Sequence, residues 1–525
     1  MKNLILFIIC SLFVTSCGGG GEAPTVITGS TKVTTPQYTP SAITGYGIEP
    51  TAAYTETATH VYYLDANNGN DVNGDGSSTA PWQTLNKIFG VMSSGDTIIL
   101  RNGNYGRFSQ NNANDRTDWI TFKADTGHTP VIAGLSVVNS TLRDTYLRFD
   151  NIEFSVGGVD SIYVVTLTYV NNFEIRNSKI SNYTHKYVTD SGFRVKNSEN
   201  VLIYYCDISK ASRSITVSDT KNMTFSRNHI HNLSGSSAIN YGDGNSNFII
   251  EKNNTYDSNF DTNDVDPNSP YIAGDTSSFP HSSGVAIRSN DVWIRGNIFH
   301  DVGSSSGIMF YGQDAAGGET AYNNIIIENN LFYDIHNTNI IRMNNLGTNV
   351  VVRNNTITGH LRDTTNANYR LNVAIVVHSL ASGYDGSGLF IYNNIMLGIA
   401  MLPQTAKTAN NIFWTYSLYD NAHKFLSTPP DVGSKIMTSQ ADDYPIDYFT
   451  NNFFIGVDAE VDFTGAHHQV LDYRLNVNSE AVYFGDVATQ SRFSLGSINA
   501  DGFIQDDGPV RDAEHNSVGA YQFTL

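Results

Sequence analysis

The sequence predicts an all-β chain, a single parallel β-helix (solenoid) of stacked strands with a short N-terminal capping helix. Three observations lead there. A phrase of alternating apolar and polar residues recurs along the chain, an asparagine holds the same place in most copies, and an amphipathic segment precedes the first copy. Period-two alternation is the strand signature, and units repeated at constant phase bury their faces only by stacking.

In chain order, Lys2 is followed by the apolar run LILFIICSLFV, short for a bilayer span and placed as a signal peptide is. It ends in VTSC, Val14 to Cys17, which resembles the lipobox of bacterial lipoproteins. The resemblance implies that residues 1–16 are a lipoprotein signal peptide and that Cys17 carries the lipid. The protein is then expected in the bacterial cell envelope, held to the outer membrane by that anchor. Residues 17–59, rich in Gly, Thr and Pro, have little to bury and are expected to be a flexible tether. Residues 60–525 are the expected solenoid. With Cys10 in the leader and Cys17 in the anchor, Cys206 stands alone, which excludes a disulfide framework and a cysteine zinc cluster. A formal net charge of −19 argues against a nucleic-acid partner, which needs a basic footprint. It leaves room for an anionic substrate in a locally basic groove.

The cap comes first in the solenoid. Residues 80–106, APWQTLNKIFGVMSSGDTIILRNGNYG, place Leu85, Ile88, Phe89 and Met92 on one helical face, then a turn at Gly95-Asp96, then a strand. A short amphipathic helix there shields the open edge of the first coil.

The phrase itself follows: NFEIRNSKI (172–180), NVLIYYCDI (200–208), NMTFSRNHI (222–230), NFIIEKNNT (247–255), DVWIRGNIF (291–299), NIIIENNLF (324–332), NVVVRNNTI (349–357) and GLFIYNNIM (388–396). Stacking would put Asn228, Asn253, Asn297, Asn330, Asn355 and Asn394 in one column at a bend, their amides bonded along the stack. Ser178 and Cys206 take the same slot in the first coils, so Cys206 is expected to be a small, inert, inward residue.

Upstream of each phrase lies a second short strand: SITVS (214–218), AINYG (238–242), GVAIRS (284–289), GIMFYG (307–312), IIRMN (340–344) and VAIVVH (373–378). Alternation turns Ile239, Val285, Ile287, Ile308, Phe310, Ile341, Met343, Ile375 and Val377 inward. It turns Asn240, Arg288, Tyr311, Arg342, Asn344 and His378 outward on neighbouring coils. Such a patch is long and suits an extended glycan. The widest gap between phrases holds DSNFDTNDVDPNSPYIAGDTSSFPHSSG (257–284), an excursion of the kind that forms binding loops. It delivers His281 just before the strand bearing Arg288. Asp261, Asp264 and Asp266 in the loop, with Asp243 nearby, are hard oxygen ligands, and Ca2+ is the cofactor they suit, although the EF-hand spacing is absent.

Cleavage of a uronic-acid polysaccharide by β-elimination needs three things: a neutralised carboxylate, a base for the C5 proton, and an acid for the departing C4 oxygen. Arg288 and Arg342 are the expected carboxylate clamps, since a guanidinium grips carboxylate bidentately. His281 and Tyr311 are the expected proton-transfer groups; Asn240, Tyr241, Asn344 and His378 are expected to bind sugar.

The opening YYLDANNGND (62–71), the capping segment and the closing NSVGAYQF (516–523) resemble right-handed parallel β-helix proteins that process polysaccharides. GVAIRSNDVWIRGNIF is similar to the arginine-bearing coil of the alginate lyase and chondroitinase B group, and Arg288 takes the matching position. The resemblance implies a right-handed coil and a polysaccharide lyase acting on an anionic chain such as alginate, here as a monomer. That group also supplies a lysine from the preceding coil and glutamates for calcium. This chain has AINYGDG there and no lysine between Lys252 and Lys407, so His and Tyr take the role. Three other outcomes stay open. Pro280-His281 partly matches the Asp-Pro-His-Asp motif of mannuronan C5-epimerases, a glycoside hydrolase would need two carboxyl groups such as Asp243 and Asp314, and a glycan-binding surface protein would need neither.

Overall fold

The computed structural model describes Tyr54, 58–112, 114–156, 163–181, 191–209, 213–231, 238–242, 244–256, 283–300, Val302, 306–310, 321–333, Ile335, 339–357, 373–397, 399–403, 406–409, 411–416, 449–450, 453–457 and Ile504. Strands dominate them, in hydrogen-bonded sheets of 23 and 13 strands. The larger sheet covers two faces of the solenoid, because its early strands turn the corner between them. In Val165–Arg176, residues 165–168 pair with 193–196, and residues 171–176 with Glu199–Tyr204. Later coils break at that corner, so each gives one strand to each of three faces.

The inward columns run in strict register. On the first face Ile215, Ile239, Val285, Ile308, Ile341 and Ile375 pair in succession and are all buried. On the second, Ile203, Phe225, Ile250, Ile294, Ile327, Val352 and Ile391 do the same. On the third, Ile208, Ile230, Thr255, Phe299, Phe332 and Ile357 follow. Each of these β-branched or aromatic side chains lies against another one strand spacing away, about 4.8 Å, which packs the core densely along the axis. Phe122 over Phe149 (5.2 Å between centroids) and Phe299 over Phe332 (5.1 Å) continue the pattern in the aromatic rows.

The asparagine column exists, and it closes the bend between the second and third faces. The Oδ1 of Asn253 accepts from both the backbone N–H and the Nδ2 of Asn228 (2.9 Å each). The same double acceptance repeats from Asn253 to Asn297, Asn297 to Asn330, Asn330 to Asn355 and Asn355 to Asn394. Asn411 extends it by one coil. Each Nδ2 also donates to a carbonyl of the preceding coil, as Asn297 does to Ile250 (2.8 Å). The residue before each ladder asparagine bends the chain through positive φ: Arg227 (57°), Lys252 (53°), Gly296 (61°), Asn329 (56°) and Asn354 (54°).

A second row, which the phrase pattern already contained, lies between the first and second faces. The Asn or Asp that opens every phrase but the last has positive φ, as in Asn200 (53°), Asn222 (51°), Asn247 (60°), Asp291 (56°), Asn324 (57°) and Asn349 (59°). Asparagine tolerates this left-handed bend better than other residues with a Cβ. Its amide then donates to the preceding coil, as from Asn222 Nδ2 to Asn200 Oδ1 (3.2 Å) and from Asn349 Nδ2 to Asn324 Oδ1 (2.7 Å).

Cys206 is fully buried, and burial pushes its thiol up to about 12; its Sγ lies 3.4 Å from the Tyr204 carbonyl. The capping helix is short, Leu85–Phe89, with Thr84 accepting from the Lys87 N–H (3.3 Å) at its start. Leu85 and Ile88 are buried, and Phe89 and Met92 pack half-buried on the same core. Ordered contacts begin before residue 60. Tyr54, within the stretch expected to be tether, donates to Asp150 (2.7 Å), and its ring centroid lies 3.9 Å from the Arg148 guanidinium. Ile504 is buried, and its carbonyl accepts from Arg227 (3.2 Å). The signal segment, Cys17 and the closing 516–523 lie outside the described residues.

Candidate functional site

The three faces present different surfaces to the outside. On the second face, charges of opposite sign pair between coils: Glu174 bridges Arg148 (2.6 Å) and Arg176 (2.8 Å), Glu251 holds Arg295 (2.6 Å) and Glu328 holds Arg353 (2.7 Å). Burial works to raise Glu174, but hydrogen bonds and charge from the two arginines outweigh it and hold the carboxyl below its ordinary value. Further along, Ile326, Val351, Phe390 and Tyr392 form a buried cluster separate from the main core, with Trp293 packed on it. Arg148, Arg176, Arg295 and Arg353 of this face are thus each paired with a carboxylate.

Of the residues expected in the site, Asn240, Tyr241 and Arg342 lie in strands of the first face. Its outward column, in register, runs Arg194, Thr216, Asn240, Ala286, Met309, Arg342 and Val376. Between the polar positions this column also holds apolar ones. Ala286, Met309 and Val376 are apolar and buried, so polarity is confined to the early coils and to Arg342. Alternation gives the direction in which a side chain leaves the sheet and says nothing of burial on the outer side.

Arg288 also differs from expectation. Its strand ends at Ile287, and Arg288 is the half-buried link to the next strand, Ser289–Arg295, at the corner between the first two faces. Asn344 follows Met343 and His378 follows Val377; since Met343 and Val377 are register partners, Asn344 and His378 reach the same corner on consecutive coils. The His378 N–H donates to the Met343 carbonyl (2.8 Å), which anchors the turn.

Arg342 and His378 form the chemically distinctive pair here. Arg342 is half-buried in the strand Asn339–Met343, and its Nε is buried with no hydrogen-bond partner. Desolvation, and then the positive charge of Arg342, push the His378 imidazole below its ordinary value. A neutral imidazole therefore stands beside a guanidinium with unspent donor capacity. An arginine N–H buried without an acceptor is costly unless a ligand completes it, and a planar fork suits a carboxylate.

Asn240 and Tyr241 lie in the strand Ile239–Tyr241, with Tyr241 in register with Val217. His281, Tyr311, Asp243, Asp261, Asp264 and Asp266 lie outside the described residues.

Comparison with known proteins bears on the fold. A family model described as "Right handed beta helix region" matches residues 132–278. No curated protein matches the sequence. Solved structures similar to this chain include the pectate lyase Pel9A, at 13% identity over 89% of this chain and 98% of that one, with a TM-score of 0.41. An alginate lyase from Paenibacillus sp. str. FPU-7 is 14% identical over 57% of this chain and 95% of its own, with a TM-score of 0.39. The periplasmic alginate epimerase AlgG is 10% identical over 71% and 83%, with a TM-score of 0.34. The register and the matched family model agree on the architecture: the chain is a right-handed parallel β-helix.

Proposed function

We propose that this protein is a polysaccharide lyase that cleaves a uronic-acid-containing chain such as alginate by β-elimination on its first face. The observation that carries the proposal is the pairing of Arg342, whose buried Nε has no acceptor, with the depressed imidazole of His378. Arg342 would grip the C5 carboxylate and neutralise it, which makes the adjacent C5 proton acidic enough to remove. His378, neutral at pH 7, is the described group suited to take that proton. The C5–H electrons form the C4–C5 double bond, the C4–O bond breaks, and the leaving oxygen takes a proton from a nearby acid. Arg288, Asn240 and Asn344 would hold flanking sugars. His281 and Tyr311 keep their proposed proton-transfer roles. Fold alone does not give function, so the reading rests on this site.

The rest of the proposal concerns setting. Cys17 would carry a lipid and place the enzyme, as a monomer, at the cell envelope. Asp243, Asp261, Asp264 and Asp266 would supply a calcium site, and no chemical step here is routed through it. The deciding experiment gives the purified protein alginate, pectate and chondroitin and follows the ultraviolet absorbance of unsaturated uronate ends. New absorbance with one of them is the expected result. Reducing ends without absorbance would make the protein a hydrolase, inverted uronate stereochemistry without scission an epimerase, and binding without product a glycan-binding protein.

A further inference from the structure

The phrase NMTFSRNHI is followed by His231, so that His-Ile-His falls on one third-face strand, His229–His231. Alternation buries Ile230 in the core and turns both imidazoles outward on the same side. Asp207, on the preceding coil, is the register partner of His229. The three side chains converge: His231 Nε2 lies 3.1 Å from Asp207 Oδ1, and His229 Nδ1 lies 3.9 Å from Asp207 Oδ2. The two rings stack with centroids 4.2 Å apart. One ligand atom from each residue falls within 4.8 Å of the others. Tetrahedral coordination at 2.0–2.1 Å needs ligand atoms about 3.4 Å apart, which lies between the two measured separations.

The next coil supplies the outer support that such ligands normally have. Tyr256 Oη lies 3.0 Å from His229 Nε2, on the opposite side of the ring from Asp207. With the Nε2 proton shared to that hydroxyl, the Nδ1 lone pair is the one facing the cluster. Tyr256 also stacks on His231 at 5.6 Å and 15°. His229 is nearly buried while the Asp207 side chain is 35% exposed, so one side of the cluster is walled and the other open to water. The charge facing the cluster from its own face is Lys179, the register partner of Asp207 on the coil before.

We propose that Asp207, His229 and His231 form a site for a divalent transition-metal ion, of which zinc is the simplest probe, with water completing the coordination. Two imidazoles and one carboxylate favour zinc and its neighbours over calcium, which takes oxygen ligands only. The ion would tie two consecutive coils together on the third face, while Arg342 and His378 belong to the first. The site is therefore independent of the polysaccharide reading and stands or falls without it.

The test dialyses the full chain against zinc, measures bound metal by elemental analysis, and titrates zinc and cobalt into the metal-free protein. About one zinc per chain and the visible bands of imidazole-ligated cobalt are expected. The His231→Gln and Asp207→Asn variants should each bind at least 30-fold more weakly with an unchanged far-ultraviolet spectrum, and saturating zinc should raise the unfolding midpoint of the native protein only. Native protein that retains no zinc, cobalt that shows no such bands, or variants that bind as tightly as the native protein would each overturn the proposal. If His231→Gln fails to fold, the cobalt spectrum of the native protein and the Asp207→Asn titration decide it.

Discussion

Replacing Asn297 by alanine tests the asparagine ladder as the element that holds the bend. The side chain takes part in five hydrogen bonds that alanine cannot make, four of them to fully buried residues on the neighbouring coils and one to the Arg295 carbonyl of its own coil (3.2 Å). Its Oδ1 accepts from the Asn253 N–H (2.9 Å) and Nδ2 (3.0 Å), and its Nδ2 donates to the Ile250 carbonyl (2.8 Å) and the Asn330 Oδ1 (2.9 Å). Each bond is worth about 1 kcal/mol net, and a stranded buried donor costs about 1–3 kcal/mol. A loss of about 3–5 kcal/mol follows once partial relaxation is allowed. Stacked repeats open locally rather than all at once, so the assay is amide hydrogen exchange read on peptides covering 247–256 and 291–300. A loss of about 3 kcal/mol raises exchange there more than about 100-fold. Asn222→Gly is the matched control. It keeps the left-handed bend and removes two half-buried amide links in the other row, for a cost of about 1–2 kcal/mol. Exchange in Asn297→Ala within about threefold of the native protein would refute the argument.

The remaining predictions concern the site and the charged face. Arg342→Ala should lower kcat/KM on the accepted substrate at least about 100-fold, and Arg342→Lys should recover only part of it, because a point charge replaces a fork. Steady-state kinetics with the exchange map unchanged checks this. The imidazole of His378 is depressed, so its neutral form persists below the ordinary histidine value and the acid limb of the rate profile should fall only at lower pH; His378→Gln should remove that limb along with most of the rate. Glu174 is held below its ordinary carboxyl value of 4.5, so its contribution to stability is complete above that pH and is lost as pH falls through its folded value. Glu174→Ala should cost about 3–5 kcal/mol by taking the carboxylate from two buried guanidinium groups, measured by denaturation at pH 7.

Much of the fold was legible because the repeat carries it twice. The inward isoleucines and valines announce the strands by alternation, and the internal asparagine announces the bend, since only a short amide can accept and donate along a stack of backbone groups. The opening asparagine carried the second bend in the same letters. Its meaning depends on a positive φ that a sequence does not display, so it passed for ordinary strand flank. The site was less legible, for a physical reason. Alternation tells which way a side chain leaves the sheet but not how far it is buried there, and Ala286, Met309 and Val376, on the same column as Arg342, are buried in the fold. Arg288 looked like a strand residue because its strand and the next are separated by a single position. The His-Ile-His cluster was readable as a pair of imidazoles on one side of a strand. Only the register, which sets Asp207 beneath His229, makes it a triad.

The division of labour between faces argues for where a ligand can act. An acidic chain repels an anionic substrate at long range, and salt screens that repulsion within about 10 Å, so a local cation with no internal partner is required. On the second face the described arginines are committed: Arg148 and Arg176 to Glu174, Arg295 to Glu251, Arg353 to Glu328. Pulling a substrate carboxylate onto any of them means breaking a buried pair, at a cost of about 3–5 kcal/mol. Arg342 has no such debt at its Nε, and a carboxylate arriving there satisfies a donor that the fold leaves unsatisfied. Binding free energy at the first face is therefore gained without first being spent on separation. Reversing the situation is the sharpest check on this argument: Met309→Glu, at the register position directly beside Arg342, supplies an internal carboxylate and should abolish substrate binding while Arg342 itself remains in place.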